Sequence, residues 1–219
     1  LFIVNLKTNK KNKYRLKMEG IFRPAWRPSH DQIAFIGNNG MMSDIYLFNY
    51  MTEELINLTN DWFSDDQIFW SSTGDSLLFI SDRNNNLTTG LQKQPLDHDF
   101  GQTDIYSYNI KTKIINRITN TSYNEMYPSL SKNNDILAYI SDESGINNIY
   151  IQDSIDNKPQ AITNVSTGIT QLSWNGNDSQ LIFTGFYNRG YDIYSLDNPI
   201  ELLSADINVP IANWTKQLK

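Results

Sequence analysis

Apolar residues occur along this chain in short runs of about four to eight residues, a length typical of β-strands. The runs are rich in branched and aromatic residues, as in QIAFIG (32–37) and DIYLFN (44–49). Clusters of typical turn residues separate them, such as PSHD (28–31) and STGD (72–75). A helical period of 3.6 residues is nowhere sustained. The pattern therefore predicts an all-β protein built from short strands.

The strand pattern repeats at a fixed interval. The word Asp/Asn-Ile-Tyr begins at residues 44, 104, 148 and 192, at intervals of 60, 44 and 44 residues. The preceding apolar words AFI, LFI, AYI and IFT begin at 34, 78, 138 and 182, at intervals of 44, 60 and 44. The same intervals of 44, 60 and 44 residues separate a third set of positions: Trp26, Trp70, Leu130 and Trp174. The repeat unit is thus 44 residues, and one unit carries an insertion of 16, the difference between 60 and 44.

Each unit contains four strand patterns. Four antiparallel strands in about 40–45 residues are typical of a β-propeller blade. We therefore predict an all-β propeller of four-stranded antiparallel blades, with four complete blades and a partial blade at each end. The predicted segments are a half blade (1–19), four blades (20–60, 61–120 with the insertion 84–103, 121–164 and 165–204) and the start of a further blade (205–219).

The two partial blades leave ring closure open. An open arc would expose apolar blade faces at both ends, which is an aggregation liability. The ends could meet in one mixed closing blade, or the chain could be a piece of a protein with further blades. We expect the second arrangement, because both ends fall inside the blade pattern.

The recurring word Asp/Asn-Ile-Tyr has a structural explanation. Its short acceptor side chain can accept backbone N–H bonds where the chain enters the third strand. Ile and Tyr point to opposite faces of that strand, and neighbouring blades cover both faces. We predict structural roles for Asp44, Tyr46, Asp104, Tyr106, Asn148, Tyr150, Asp192 and Tyr194. A second acceptor is predicted to fix the hairpin after the third strand: Asn5, Asn49, Asn109, Asp153 and Asp197.

The repeat resembles the TolB-type propeller repeat, a WD40-like repeat that runs roughly W-S-P-D-G, apolar strand, S-D, D-I-Y and L-T. The corresponding words here are WSSTGD (70–75), SD (81–82 and 141–142) and the four D/N-I-Y words. The resemblance covers nearly the whole chain, although no unit carries S-P-D-G and Leu130 replaces one Trp. It implies a periplasmic or cell-envelope protein whose partners are envelope lipoproteins or peptidoglycan-associated proteins.

The amino-acid composition of the chain disfavours or excludes several classes of function. The net charge is −6, from 18 basic and 24 acidic residues, which disfavours binding to a nucleic-acid backbone. The absence of cysteine excludes disulfides, thiol nucleophiles and Cys-based zinc sites. No apolar run reaches the roughly 18 residues of a membrane span, so we predict none.

Catalytic chemistry has few candidates. The chain has two histidines, and His30 lies in a turn between strands. No G-x-S-x-G, H-E-x-x-H or Walker pattern is present. Asp97-His98-Asp99 could contribute ligands to a divalent cation, but a polar surface loop explains these residues more simply. We therefore predict no catalytic residue, no cofactor and no metal site.

A docking surface is the stronger hypothesis. The insertion and the loops that enter the first strands belong to the same propeller face, and aromatic residues and Met are typical interface anchors. Tyr127 also lies in one of these loops. The alternative for this residue is that its side chain packs between two blades. The predicted partner-binding residues are Trp62, Phe63, Asp97, His98, Asp99, Phe100, Tyr123 and Met126.

The sequence thus predicts a non-catalytic propeller that binds proteins in the bacterial envelope. One alternative is the propeller domain of a prolyl-oligopeptidase-like or tricorn-like serine peptidase, whose catalytic domain would lie outside these residues. Another is the scaffold propeller of a multidomain secretion or motility lipoprotein.

Overall fold

The computed structural model describes residues 1–40, 42–91, 98–133, 135–153, 158–204 and 207–212. In this part of the chain, 17 strands form five antiparallel sheets. Four of the sheets are arranged as propeller blades, which confirms the predicted fold class.

The strands follow one another as successive hairpins. The first sheet contains β1 (Phe2–Val4) and β2 (Lys11–Lys13). Blade 1 contains β3 (Gly20–Trp26), β4 (Gln32–Asn38), β5 (Ser43–Asn49) and β6 (Leu55–Asn57). Blade 2 contains β7 (Asp65–Trp70), β8 (Ser76–Ser81), β9 (Asp104–Asn109) and β10 (Ile115–Arg117). Blade 3 contains β11 (Glu125–Leu130), β12 (Ile136–Ser141), β13 (Asn148–Asp153) and β14 (Gln160–Ala161). Blade 4 contains β15 (Ile169–Trp174), β16 (Gln180–Tyr187) and β17 (Gly190–Asp197).

Blade 4 differs from the prediction of a fourth complete blade. Its sheet has three strands, and a 3₁₀ helix (Pro199–Ser204) follows β17 where a fourth strand was expected. In blade 1, Leu58, directly after the fourth strand, follows Ile45 by 13 residues, whereas Leu202 follows Ile193 by only 9. The shorter connection also contains Pro199, which has no N–H to donate to a strand ladder. The extent of the complete propeller remains a prediction.

The interface between blades 1 and 2 shows how blades pack. Apolar residues of β4 and β5, such as Ala34 and Ile45, form one buried cluster with Trp70 and Phe79 of blade 2. The Trp70 indole Nε1 also donates to the carbonyl of Ala25, at 3.2 Å. Burial and a hydrogen bond from the same side chain therefore join the two blades.

Buried apolar clusters also join the other two pairs of neighbouring blades. Ile105 of blade 2 shares a cluster with Tyr139 of blade 3, and Ile149 of blade 3 shares one with Trp174 of blade 4. The Trp174 indole Nε1 donates to the Ser129 carbonyl at 3.1 Å, at the position equivalent to the bond of Trp70.

The third-strand tyrosines have equivalent ring partners in all four blades, although their burial ranges from complete for Tyr106 to 37% exposed for Tyr194. Each ring lies beside the aromatic ring of its cross-strand partner in the second strand, with centroids 5.7–6.0 Å apart. The pairs are Phe35–Tyr46, Phe79–Tyr106, Tyr139–Tyr150 and Phe183–Tyr194.

The acidic residue of the recurring word joins two parts of its blade. The Asp44 carboxylate accepts bonds from the Asn57 side chain (2.9 Å), the Thr59 hydroxyl (3.4 Å) and the Asp61 N–H (3.2 Å). The Thr59 hydroxyl in turn accepts the N–H of Ile45. Asp104 and Asn148 make the equivalent bonds, to the N–H groups of Thr121 and Val165. The side chain thus ties the start of the third strand to the exit from the fourth, 17 residues later.

The hairpin acceptors have the predicted geometry in three places. The Asn49 side-chain oxygen accepts the N–H groups of Met51 and Thr52, at 2.9 and 3.1 Å. Asn109 accepts from the two equivalent residues, and so does Asn5. Asn5 forms the same turn between β1 and β2, which agrees with the predicted half blade in residues 1–19.

Every first strand contains a bulge at the same repeat position. The bulge residue has a positive φ of 52–56° although it is not glycine, which costs about 1–2 kcal/mol per residue. The four residues are Arg23, Gln67, Tyr127 and Gln171. Because the four bulges lie at equivalent positions, they are part of the repeated blade structure. Each bulge changes the direction of its side chain on the innermost strand.

Replacing Asp44 with Ala should destabilise the fold by about 2–3 kcal/mol, because buried donors of Asp61 and Asn57 lose their acceptor. Urea denaturation would measure the change. The matched control is Asp192→Ala at the equivalent, exposed position of blade 4, where we expect less than about 0.5 kcal/mol. Equal losses at the two positions would contradict this role for Asp44.

Candidate protein-binding face

The loops that lead into β3 and β7 border a groove made of two adjoining cavities. Both cavities have Ser64 and Asp66 in their walls, and their volumes are about 660 and 670 Å³. The outer cavity is further lined by Met42, Trp62, Ile80, Asp82, Phe100 and Thr103. The inner cavity is further lined by Ile21, Phe22, Arg23, Pro24, Ile36, Ser43 and Asp65.

The aspartate of the Ser-Asp word follows the second strand of a blade. It holds the backbone at the point where the chain enters the first strand of the same blade. Asp82 accepts the N–H of Ser64 at 2.9 Å. In blade 3, Asp142 accepts the N–H of Asn124 at 2.8 Å. Burial raises the pKa of Asp82 to about 6. The groove wall therefore contains a carboxyl group that titrates near neutral pH.

A buried arginine holds the loop beneath the outer cavity. Arg83 is fully buried and forms ion pairs with Asp61 (3.0 Å) and Asp65 (2.6 Å). Its guanidinium also lies 5.7 Å from the ring centroid of Phe63 and 5.1 Å from that of Phe79. Buried charges require such partners, and together they fix residues 61–65. The sequence signal for this residue is an Arg directly after the word Ser-Asp, at residues 81–83.

Blade 3 has lost this ion pair. Glu125 is the equivalent of Asp65, but Glu143 stands at the position of Arg83. Glu125 is buried and accepts a bond from the Thr121 hydroxyl at 2.7 Å, while its Oε2 has no partner among the described residues. Burial raises the pKa of Glu125 to about 8.

The structure brings together several of the predicted partner-binding residues. Trp62 and Phe100 line the outer cavity, and Phe100 is 50% exposed. His98 lies between Phe100 and Phe63, with ring centroids 4.6 and 5.0 Å apart, and its Nε2 contacts the carbonyl oxygen of Asp82. Phe63 is only 5% exposed, so it supports the surface from beneath. Asp97 lies outside the described residues.

The remaining predicted residues are placed differently. Asp99 is exposed and accepts the Gly101 N–H, which fixes the end of the insertion. The Tyr123 carbonyl accepts a bond from Gln102 at 3.1 Å, so this loop contacts the insertion through its backbone. Met126 packs against the core between blades 3 and 4.

Tyr127 packs against the core between blades 3 and 4, which is the alternative given for it above, and it also contacts the inner strands of blades 1 and 2. The Arg23 guanidinium lies 5.9 Å from the centroid of the Tyr127 ring, and the Tyr127 N–H donates to the Gln67 side chain. Arg23 also pairs with Asp66 at 3.1 Å. Three of the four bulge residues therefore meet beside the inner cavity, a contact that the repeat alone did not predict.

The described residues contain neither a cluster of metal-binding side chains nor a membrane-spanning helix. No group of three or more His, Asp or Glu side chains in these residues could hold a metal ion. No helix in the same ranges is long and apolar enough to cross a membrane.

Solved structures with the same fold have several activities. TolB from Acinetobacter baumannii matches 82% of this chain, with a TM-score of 0.62 and 18% identity. An oligogalacturonate lyase from Vibrio parahaemolyticus matches 90%, with a TM-score of 0.61 and 14% identity. A puromycin-hydrolysing peptidase of Mycobacterium tuberculosis matches 86%, with a TM-score of 0.64 and 12% identity. No protein-family model and no curated protein sequence matches this chain.

The fold is a β-propeller similar to that of TolB. This chain spans 41% of the A. baumannii TolB chain, 54% of the lyase and 29% of the peptidase. Propellers similar to this chain therefore occur both in TolB and in enzymes, and the fold alone does not decide between these roles.

Replacing Glu125 with Gln should stabilise the protein at alkaline pH. Because the folded-state pKa of about 8 lies above the usual 4.5, the folded protein binds this proton more tightly than the unfolded chain. Its stability therefore falls as pH rises from about 4.5 to 8. Gln mimics the protonated acid, so the variant should gain on the order of 2 kcal/mol at pH 8 and nothing at pH 4.

Urea denaturation at both pH values would measure this difference, with the exposed Glu54→Gln as the control. An identical pH dependence in Glu125→Gln and the parent protein would refute the assignment.

Proposed function

We propose that this chain is part of a non-catalytic, TolB-like propeller that acts as a protein–protein interaction platform in the bacterial cell envelope. The observation that carries the proposal is the outer cavity, in which Trp62 and Phe100 border an opening of about 660 Å³. Aromatic side chains at the edge of a pocket are typical anchors of protein interfaces.

The cavity has the rigid base that a preformed docking site needs. Below it, Phe63 and Arg83 are buried, and Arg83 is held by two ion pairs. His98 connects this buried layer to Phe100. A partner would therefore meet aromatic groups whose positions are already fixed, so it would lose little conformational entropy there on binding.

Charge indicates the chemistry of the partner. The outer cavity is lined by the carboxyl groups of Asp66 and Asp82, and the whole chain has a net charge of −6. A partner surface with an apolar centre and a basic rim complements this arrangement. The TolB-type fold favours an envelope lipoprotein of the peptidoglycan-associated class, and hence a periplasmic location.

The similarity to the puromycin-hydrolysing peptidase supports a second candidate function. In that case this chain would be the propeller domain of a serine peptidase, and its catalytic residues would lie outside the 219 residues. The full-length natural protein would then react with a serine-directed fluorophosphonate probe. Under the platform proposal, we expect no labelling.

Replacing either Trp62 or Phe100 with Ala should weaken partner binding by about 10-fold or more, because each truncation removes an aromatic anchor. The measurement is biolayer interferometry against the purified periplasmic domain of a peptidoglycan-associated lipoprotein. Tyr187→Ala, which truncates an exposed aromatic residue of blade 4, is the control and should bind normally. The docking site would be refuted by absent binding, or by equal affinity in all three variants.

A further inference from the structure

The interface between blades 2 and 3 lacks a large side chain that the other interfaces contain. Trp70 fills the interface between blades 1 and 2, and Trp174 fills the one between blades 3 and 4. The equivalent residue between blades 2 and 3 is Leu130. Unlike the two tryptophans, Leu130 has no indole to reach the neighbouring blade.

A second repeat position is also smaller in this interface. Leu47 of blade 1 and Ile151 of blade 3 each project into the buried cluster shared with the following blade. The equivalent residue of blade 2 is Ser107. Both the volume and the apolar character of the side chain are therefore reduced at this point.

A third position changes on the opposite side of the same interface. Tyr108 of blade 2 and Leu196 of blade 4 pack against the preceding blade. Gln152 of blade 3 occupies the equivalent place. Three repeat positions thus depart together in one interface, whereas a single loss could be absorbed by neighbouring side chains.

These replacements leave a cavity of about 450 Å³ between blades 2 and 3. Ser107, Leu130 and Gln152 all line it. This volume is within the range of small-molecule sites. The exposed residues Thr73 and Asp135 lie at its wall, in the turns after β7 and β11. This cavity therefore lies at one end of these strands, and the groove formed by the inner and outer cavities lies at the other end.

One wall of the cavity is aliphatic. Leu78, Ile118, Leu130 and Leu137 form it, and no aromatic ring is among the described lining residues. Such a wall suits a flexible hydrocarbon chain, whereas flat sugars and bases are usually held by stacking on aromatic rings.

The polar lining determines the charge that the cavity accepts. Asp135 and Asp153 contribute two carboxyl groups, and the described lining residues include no Lys, Arg or His. The Ser131 hydroxyl donates to Asp135 at 2.7 Å, which orients that carboxylate. This lining repels anions and favours a cationic hydrogen-bond donor.

We propose that the cavity between blades 2 and 3 binds a small aliphatic amine, with its hydrocarbon chain on the leucine wall and its ammonium group at the aspartates. The three departures from the repeat open the space for the hydrocarbon chain. The acidic lining at the edge of the cavity attracts the ammonium group. The site is independent of the protein-docking face.

Isothermal titration calorimetry with hexylamine, hexan-1-ol and hexanoate tests the proposal. We expect hexylamine to bind, hexanol to bind at least about 10-fold more weakly, and hexanoate not to bind. Asp135→Asn keeps the acceptor for Ser131 but removes the charge. It should therefore weaken hexylamine about 10-fold and leave hexanol unchanged.

The variant Ser107→Leu restores the apolar residue of the other interfaces and should fill the cavity. We expect it to abolish hexylamine binding and to raise the Tm by a few degrees. The matched control is Ser195→Leu, the same substitution at the equivalent exposed position of blade 4, which should bind normally.

Three results would overturn the proposal: no binding of hexylamine to the parent protein, equal affinities for hexylamine and hexanol, or unchanged binding in Ser107→Leu. If Ser107→Leu does not fold, Asp135→Asn decides, and unchanged hexylamine affinity in that variant would refute the site.

Discussion

Each blade of this propeller has two apolar faces, and each face is stable in water only when another blade covers it. The same third-strand isoleucine shows this constraint in every blade. Ile45, Ile105 and Ile149 are fully buried because a following blade packs on them, whereas Ile193 of blade 4 is 80% exposed. The need to cover both faces of every blade explains why the sequence repeats every 44 residues. Because each blade solves the same packing problem, the same side chains return at the same places.

The repeat predicted the strands, the blades and the acceptor residues, because their causes are local or recur in every unit. Asp44 and Asn49 are examples, since each acts on backbone groups at a fixed distance along the chain. The bulges were not predicted, because Arg23, Gln67 and Tyr127 carry no signal for a positive φ. The 3₁₀ helix in blade 4 was not predicted, because the landmarks of the repeat continue unchanged to Asp197 and the connection shortens only after them, before Leu202. The buried Arg83 was missed because burial of a charge depends on partners that only the fold assembles.

Both proposed sites lie where the chain departs from its own repeat. The insertion, the buried ion pairs of Arg83 and the change from Trp to Leu130 all lie in blade 2 or at its boundary with blade 3. A position that keeps the repeat residue is explained by packing, whereas a position that departs from it requires another explanation. The same comparison between blades distinguishes Asp65, which has an arginine partner, from Glu125, which has none. Within one chain, the sister blades thus serve as internal controls.

The dependence of each blade on its neighbours can be measured directly by hydrogen–deuterium exchange with mass spectrometry. Peptides covering Asp104–Asn109 and Gly190–Asp197 contain the same word, Asp-Ile-Tyr, and both lie in antiparallel ladders. If covering blades provide the stability, the first peptide should exchange at least about 100-fold more slowly than the second. Equal protection of the two peptides would contradict the account, because strand pairing within a blade would then suffice.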